Sequence, residues 1–224
     1  MTAIALVAAS DFNAEKFLEM REEGLFKEIY AVDGGFAHLE KIGVVPDMAL
    51  GDFDSLGYVP KSRRVIRFPV HKDKSDLELA LERARNSRAH AVYIFGALGG
   101  RLDHTMANMQ LFASFAEQEI EVTVVGTDCM LRILVGPDAF ELPPYKKGIV
   151  SVFSANDEAY GVIERGMEYP LDDETLTNRT SLGLSNELTG EEAAVGVEEG
   201  TLYVFYPLAD EAPDEPESEP QESV

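Results

Sequence analysis

The stretch at residues 44–55, V-V-P-D-M-A-L-G-D-F-D-S, ends an apolar run with two carboxylates that one residue separates. The run at 48–53 predicts a β-strand, in which side chains alternate between the two faces. Asp52 and Asp54 would then point to one side, and Phe53 would enter the core. Neighbouring carboxylates repel each other unless a cation lies between them, and oxygen ligands suit a hard ion such as Mg²⁺. The stretch therefore predicts a metal site at the end of a buried strand.

The pattern of an apolar strand followed by an amphipathic helix recurs on both sides of this stretch. Further strands are predicted at residues 4–9, 28–32, 65–70, 91–95, 121–126 and 130–135. A helix is predicted after each of the first four, and the third helix opens with an S-x-x-E capping box at Ser75 and Glu78. Strands that alternate with helices form a mostly parallel sheet, which predicts an α/β fold.

The sequence changes its character after Gly136-Pro137. Helical periodicity disappears, and short β-prone pieces alternate with turn residues at 148–154, 161–163, 182–184 and 201–206. This pattern predicts a small antiparallel β-sandwich domain. We therefore expect an α/β domain at residues 1–137, a β-sandwich domain at 138–208 and a disordered acidic tail at 209–224. The tail has acids and prolines but no large apolar residue to bury against a core.

Composition limits the classes of function. The formal net charge of the 224 residues is -22, which argues against general binding to nucleic acid or to an anionic membrane, because both need a positive surface. The single cysteine, Cys129, excludes an internal disulfide framework. The first residues carry no basic leader, and no apolar run approaches the length of a membrane span. We expect a cytoplasmic protein.

Polar residues and glycines follow several predicted strands at the points where the strands end. Asp33, Asp52, Asp54, Lys72 and the loop at 96–101 occupy such positions, and ligands of parallel sheets bind beyond the carboxyl ends of the strands. The loop, G-A-L-G-G-R, resembles a phosphate cradle without matching the P-loop or the dinucleotide-binding pattern. Together these positions predict a site for phosphate and a metal.

The same residues also have purely structural interpretations. The two acids of the opening stretch are compatible with a solvated turn after a strand. Ser75 and Asp76 are explained as a helix cap and a first-turn acid, and Asp103 as the cap of a helix at 105–118. Composition alone favours a polar hairpin loop around Ser185.

Five motifs in series resemble those of the thiamine pyrophosphokinase (thiamine diphosphokinase) family. They are D-G-G at 33–35, P-D-x-x-x-G-D-F-D-S at 46–55, K-D-x-S-D at 72–76, G-x-x-G-G-R-x-D-H-x-x-A-N at 96–108 and L-G-L-S-N-E at 182–187. The resemblance covers residues 3–207, with the motifs in order. Ser75 stands where many members have threonine, which keeps the hydroxyl group.

The resemblance implies a homodimer whose subunits each have an ATP-binding catalytic domain and a thiamine-binding β-sandwich. The reaction would transfer the pyrophosphoryl group of ATP to the hydroxyl of thiamine, with Mg²⁺ as cofactor, giving thiamine diphosphate and AMP. The implied catalytic residues are Asp52, Asp54, Lys72, Asp76 and Asp103. The implied metal ligands are Asp33, Asp52, Asp54 and Asp76. The residues implied to contact ATP are Asp33, Gly34, Ser75, Gly99, Gly100, Arg101, His104 and Asn108. Thiamine would be contacted by Ser185 and Asn186 of the partner subunit.

Two other kinds of function stay open on the residues alone. A metal-dependent phosphatase or a glycosyltransferase would use the pair Asp52 and Asp54, although it would leave residues 99–108 unexplained. A non-catalytic module that senses a nucleotide or thiamine would keep the ligand site without turnover. The chain has no tryptophan, so any aromatic stacking on thiamine would have to come from Tyr or Phe.

Overall fold

The computed structural model describes residues 2–54 and 56–209. Ser55 of the opening stretch and the acidic tail from 210 onward, which the sequence predicts to be disordered, lie outside the described residues. The strands β1 to β14 are Ala3–Val7, Glu28–Val32, Met48–Gly51, Arg64–Arg67, Ala91–Phe95, Glu121–Val125, Cys129–Val135, Asp138–Glu141, Ile149–Ser154, Glu158–Arg165, Leu171–Thr177, Asn186–Glu187, Ala194–Val197 and Thr201–Pro207. The helices α1 to α4 are Ala14–Glu22, Phe36–Lys41, Asp76–Asn86 and Leu102–Ala116, and Asp33–Gly35 forms a 3-10 turn.

Ten of these strands form one large sheet in the order β12-β9-β14-β7-β6-β5-β1-β2-β3-β4. Pairing is parallel from β4 through to β6. It becomes antiparallel from β6 to β12. The other four strands form an antiparallel sheet in the order β11-β10-β13-β8. The predicted fold class, a mostly parallel α/β sheet followed by a small antiparallel unit, is confirmed.

The large sheet is covered on both faces because its central strands are apolar on both sides. In β1, Ala5 and Val7 join the core beneath α1 and α2, whereas Ile4 and Leu6 join the core beneath α3 and α4. The small sheet packs on the same face as α1 and α2, since β9, β14 and the small sheet contribute to one continuous core. No helix in the described part of the chain is long and apolar enough to cross a membrane.

The structure corrects several predicted elements. β3 ends at Gly51, two residues before the predicted end, and α4 begins at Leu102, three residues before its predicted start. Residues 182–184 form a turn and not a strand. β8, β11 and β13 were not predicted. β11 has a run of four exposed residues, three of them acidic, so it lacks the apolar alternation of a half-buried strand. The domain limits at 137 and 208 stay a prediction.

A buried carboxylate lies between the two sheets. Glu164 of β10 is 1% exposed, and its Oε2 accepts a hydrogen bond of 2.6 Å from Nδ2 of Asn186 in β12. Its Oε1 has no hydrogen-bond partner among the described residues. Burial raises the pKa of Glu164 from its ordinary 4.5 to about 6, and the hydrogen bond from Asn186 acts in the opposite direction. The ionised carboxylate therefore costs the fold stability at neutral pH.

We expect the variant Glu164→Gln to remove the loss of stability that accompanies ionisation of this carboxylate as the pH rises. Because the folded pKa lies above the unfolded one, the cost of ionisation is absent below pH 4.5 and complete above pH 6, and 1.5 pKa units correspond to about 2 kcal/mol. The free energy of unfolding of Glu164→Gln minus that of wild type should rise by about 2 kcal/mol between pH 4.5 and pH 7.5. Urea unfolding at several pH values measures it. Glu158→Gln, an exposed change on the same strand, is the control, and a constant difference for Glu164→Gln would contradict the prediction.

Candidate functional site

A cleft of about 780 Å³ lies at the carboxyl edge of the parallel part of the large sheet. It is formed by the loops that follow β1, β2, β4 and β5, together with the first turns of α3 and α4. All four strands run in the same direction, so their carboxyl ends meet at this edge. Of the residues predicted from the sequence, the cleft is lined by Asp33, Lys72, Ser75, Asp76, Gly99, Gly100, Arg101, His104 and Asn108.

The turn after β3 places the two acids of the opening stretch differently from the prediction. Phe53 has a φ of 61°, so the chain leaves the extended conformation there and strand alternation does not orient the two carboxylates. Asp52 Oδ1 accepts a hydrogen bond from the backbone N–H of Asp54, and Asp33 Oδ1 accepts one of 3.0 Å from that of Phe53. Phe53 is buried, as predicted, but Asp54 is exposed and neither acid lines the cleft.

Lys72 joins two of the predicted acids. Its Nζ lies 3.2 Å from Oδ2 of Asp52 and 3.1 Å from Oδ1 of Asp76, with all three side chains mostly buried. Burial by itself lowers the pKa of Lys72, but the two carboxylates outweigh it and the pKa is raised. The pKa of Asp52 is lowered, first by the backbone N–H of Asp54 and then by Lys72. Burial raises the pKa of Asp76 despite Lys72, and Asp33 and Asp52 add to the increase.

The Ser75 half of the predicted capping box is present at the start of α3, whereas the carboxylate of Glu78 lies 3.5 Å from Nζ of Lys74. Ser75 is the N-cap, and its Oγ accepts a hydrogen bond of 3.1 Å from the backbone N–H of Glu78. Asp76 follows in the first turn and also lines the cleft, so the helix start has both a structural and a site-forming role. The positive end of the helix dipole favours anions at this side of the cleft.

The glycine loop after β5 is held against the loop after β1. Gly99 has a φ of 82°, and a Cβ at this position would lie 2.0 Å from Oδ2 of Asp11, so only glycine fits without displacement. Asn108 Nδ2 donates a hydrogen bond of 2.8 Å to the backbone carbonyl of Ala97 and fastens the loop to α4. Asn108 therefore supports the loop directly.

Asp103 is neither a helix cap nor a member of the cluster around Lys72. Arg101 is the N-cap residue of α4, without a side-chain cap. Asp103 lies in the first turn and faces Arg101, with Arg101 Nε 3.1 Å from Oδ1 and Nη2 2.5 Å from Oδ2. This ion pair lowers the pKa of Asp103 to about 2. Both side chains are about two-thirds exposed, at 69% for Arg101 and 66% for Asp103.

The loop after β1 is part of the site, although it was not predicted from the sequence. Ser10, Asp11 and Phe12 line the cleft together with His38 of α2. His38 Nε2 lies 2.9 Å from the carbonyl oxygen of Ser10, which can only accept, so this nitrogen donates. The ring of His38 stacks on Phe12 at 5.0 Å. The rule that ligands bind beyond strand ends applies to this loop as well, since it follows β1 directly and the cap of α1 is Asn13.

The two residues predicted to contact thiamine lie outside the cleft. They lie beside the boundary where β12 of the large sheet meets β10 of the small sheet, which we call the seam. Asn186 is buried, and its side chain makes four hydrogen bonds, to Glu164, Glu187 and both backbone groups of Tyr169. Ser185 has a φ of 59°, and its backbone N–H donates to Oγ of Ser151. Tyr169 is 64% exposed, although both of its backbone groups are bonded to Asn186. The assignment of Ser185 and Asn186 to thiamine stays a prediction.

An apolar face is exposed on the antiparallel part of the large sheet, next to this seam. We define it by Ile149, Phe153, Leu182, Leu184 and Phe205. Ile149 and the two leucines are 44% to 55% exposed. Phe153 and Phe205, whose ring centroids are 6.0 Å apart, line a cavity of about 320 Å³ together with Ile149. The backbone N–H of Val152 donates to the carbonyl of Gly183, which fixes the leucine turn on β9.

The residues present can contribute to a magnesium site without forming a complete one. Within residues 2–54 and 56–209, no three His, Cys, Asp or Glu side chains are arranged to hold a metal ion. Mg²⁺ bound with a nucleotide usually takes only one or two carboxylates, and phosphate oxygens and water complete its shell. Asp52 and Asp76, which already share one cation in Lys72, fit that requirement.

Comparison with known proteins matches both parts of the chain to one family. Residues 26–124 match the family model for the catalytic domain of thiamin pyrophosphokinase, and residues 140–202 match the model for its vitamin B1 binding domain. A thiamine pyrophosphokinase of Bacillus subtilis (strain 168) is 28% identical over 183 residues, which cover 78% of this chain and 84% of that protein.

Solved structures show the same fold. The crystal structure of thiamin pyrophosphokinase from Geobacillus thermodenitrificans matches with a TM-score of 0.76 and 26% identity, over 92% of this chain and 97% of that one. The Bacillus subtilis structure matches with a TM-score of 0.77 and 23% identity, over 92% and 99%. Thiamin pyrophosphokinase from Candida albicans matches with a TM-score of 0.75 at 14% identity, over 92% and 89%.

We expect Gly99→Ala to lower the free energy of unfolding more than a glycine-to-alanine change at a position with free space around it. The added Cβ would be strained by the positive φ and would also collide with Asp11. Gly43→Ala is the matched control, because Gly43 has a φ of 69° with nothing within 4 Å of the added Cβ. Strain alone should cost both variants about 1 kcal/mol of unfolding free energy, and Gly99→Ala should lose at least 1 kcal/mol more. Thermal or urea unfolding measures this, and equal losses would contradict the collision.

Proposed function

Because the chain belongs to the thiamine pyrophosphokinase family, we propose that it transfers the pyrophosphoryl group of ATP to the hydroxyl of thiamine, giving thiamine diphosphate and AMP. The observation that carries this proposal is the match of two family models in series, at residues 26–124 and 140–202. The first contains most of the cleft, and the second contains the small sheet and the seam. The geometry of both regions supports the same reaction.

ATP is proposed to bind in the cleft with its phosphates between the start of α3 and the glycine loop. Helix starts and exposed backbone N–H groups of glycine-rich loops both attract phosphate oxygens. Lys72 supplies the positive charge nearest the acids, and Arg101 supplies a second one at the rim. In a chain of net charge -22, such local cations are needed for a polyphosphate to enter.

Transfer of a phosphoryl-type group depends mainly on positioning and on stabilising charge. We propose that Asp52 and Asp76, with phosphate oxygens, hold Mg²⁺, which would offset the charge of ATP when bound. Lys72 orients the two carboxylates and stays near the transferred group. Asp76 is proposed to accept the proton of the thiamine hydroxyl, because it lines the cleft whereas Asp52 does not. Asp33 positions the turn after β3 through Phe53.

Thiamine is proposed to bind against Ser185 and Tyr169, at the outer end of the seam. Tyr169 is the aromatic residue that replaces the missing tryptophan, because its ring is exposed while its backbone is bound to Asn186. The seam lies beside β9 and β12, at the opposite end of the sheet from β1 and β2. The cleft occupies the parallel end, so one subunit does not bring both substrates together.

A homodimer resolves this separation, and we propose the apolar face as its interface. This face adjoins the seam and has the exposed aliphatic and aromatic groups that dimer interfaces bury. α4 extends the exposed apolar surface toward the rim of the cleft through Met106 and Leu102, which are 57% and 75% exposed. α4 is fastened to β14 by a hydrogen bond from the Tyr203 hydroxyl to the carbonyl of Met109. Two copies can therefore present the seam of one to the cleft of the other.

The competing functions are not favoured. A metal-dependent phosphatase or glycosyltransferase would rest on Asp52 and Asp54, and Asp54 is exposed outside the cleft. A sensing module would bind the same ligands without turnover. The cytoplasmic location stays a prediction.

We expect wild-type protein with ATP, Mg²⁺ and thiamine to form AMP and thiamine diphosphate in equal amounts. Asp76→Asn should lower kcat by about a hundredfold or more, since a general base typically contributes that much. Glu78→Gln is the control, because Glu78 is an acid of the same helix turn that does not line the cleft. Chromatography of the products measures both. Phosphate released without thiamine would favour the phosphatase, absence of product would favour the sensor, and a wild-type rate in Asp76→Asn would reject the role of Asp76.

We expect Phe153→Glu to dissociate the dimer, because it places a charge within the apolar face. Sedimentation should show a fall in mass from twice 24.6 kDa to 24.6 kDa, with activity falling in parallel. Val45→Glu, at a residue 68% exposed in the loop before β3, should change neither. A wild-type protein that is active as a monomer would contradict this interface.

A further inference from the structure

Glu164 is an unusual residue for the interior of a β-sandwich. It is 1% exposed, and one of its carboxylate oxygens has no partner among the described residues. An unsatisfied buried oxygen destabilises a fold, and an apolar residue of similar volume would remove that cost. Stability therefore does not explain the presence of a carboxylate here. The one hydrogen bond that the carboxylate accepts comes from Asn186.

That bond is one of four that orient the Asn186 amide, and it is the only one of the four made by a side chain. A carboxylate can only accept, so the amide must turn its Nδ2 toward Glu164, at 2.6 Å. The other hydrogen of Nδ2 then goes to the carbonyl of Tyr169, at 2.8 Å. Oδ1 is left to accept from the backbone N–H groups of Tyr169 and Glu187, both at 3.0 Å. If the amide were reversed, Oδ1 would face two acceptors.

The oriented amide holds the backbone of Tyr169 at both its N–H and its carbonyl. The segment before it is aligned too, since Glu168 N–H donates to the carbonyl of Glu187 and Met167 pairs with Leu188. The exposed ring of Tyr169 therefore extends from a fixed backbone, directly across the seam from Asn186. Ser185 precedes Asn186 in the chain, and its own backbone N–H is held separately by Oγ of Ser151.

We propose that Glu164 is a positioning residue for thiamine: through Asn186 it helps to hold the backbone of Tyr169, and hence the origin of its side chain, in the arrangement that binds the substrate. This rests on the proposed function of the seam. Glu164 is buried and does not touch thiamine itself. It affects recognition of thiamine and leaves the distant ATP cleft unchanged.

The test compares Glu164→Met with Glu164→Gln. Met fills the volume with an apolar chain that cannot accept a hydrogen bond, so the Asn186 amide loses one of its four hydrogen bonds while the fold loses a buried charge. Gln keeps an acceptor for Asn186. We expect Glu164→Met to raise the KM for thiamine about tenfold, the equivalent of one hydrogen bond, with the KM for ATP within twofold of wild type. Glu164→Gln should keep both constants within about twofold of wild type.

Matched variants separate positioning from general support of the fold. Val162→Ala removes buried volume from the same strand without touching Asn186, and it should lower the Tm while leaving the KM for thiamine unchanged. Should Glu164→Met fail to fold, Glu164→Thr suits a strand and is too short to reach Asn186. Titration calorimetry with thiamine provides a binding measurement that is independent of turnover.

The outcomes distinguish this inference from the function on which it rests. A rise in the KM for thiamine in Glu164→Met, with Tm at or above that of wild type, supports positioning. An unchanged KM for thiamine in a folded Glu164→Met or Glu164→Thr overturns it, as does an equal rise in both KM values. A wild-type protein that makes no thiamine diphosphate and binds no thiamine overturns the proposed function first.

Discussion

The parallel pairing of β1 with β2 and β5 is the constraint on which the rest of the structure depends. These strands are apolar on both faces, so they are stable only between two layers of cover, which α1 and α2 supply on one face and α3 and α4 on the other. Parallel pairing also brings the loops after the strands to one edge. The cleft is therefore a consequence of the same apolar runs that form the core.

Charge imposes a second constraint at that edge. Asp33, Asp52 and Asp76 come together in a protein that is strongly acidic overall, and their mutual repulsion has to be offset. Lys72 does so in the structure by sharing its ammonium group between two of them. Three acids and one largely buried ammonium group are therefore arranged around one point at this edge of the sheet.

Local pattern predicts much of this molecule, and its failures have physical causes. The strands at 28–32 and 91–95 and the Ser75 cap follow directly from apolar runs and capping chemistry. The orientation of Asp52 and Asp54 was wrong because Phe53 adopts a positive φ that no residue pattern indicates. Asp11 and His38 meet through contacts between distant loops. The sequence could not predict the contacts of Glu164 and Tyr169 for the same reason. Both residues contact Asn186, whose position is set by sheet pairing.

The change from parallel to antiparallel pairing between β6 and β7 leaves the large sheet continuous. β14 pairs with β7 along seven residues and then with β9, so the strands that support the seam belong to the sheet that supports the cleft. Rotation of one half against the other would break that ladder. Hinge bending between the two halves would therefore have to break backbone hydrogen bonds along a whole strand, and it is not available to this subunit.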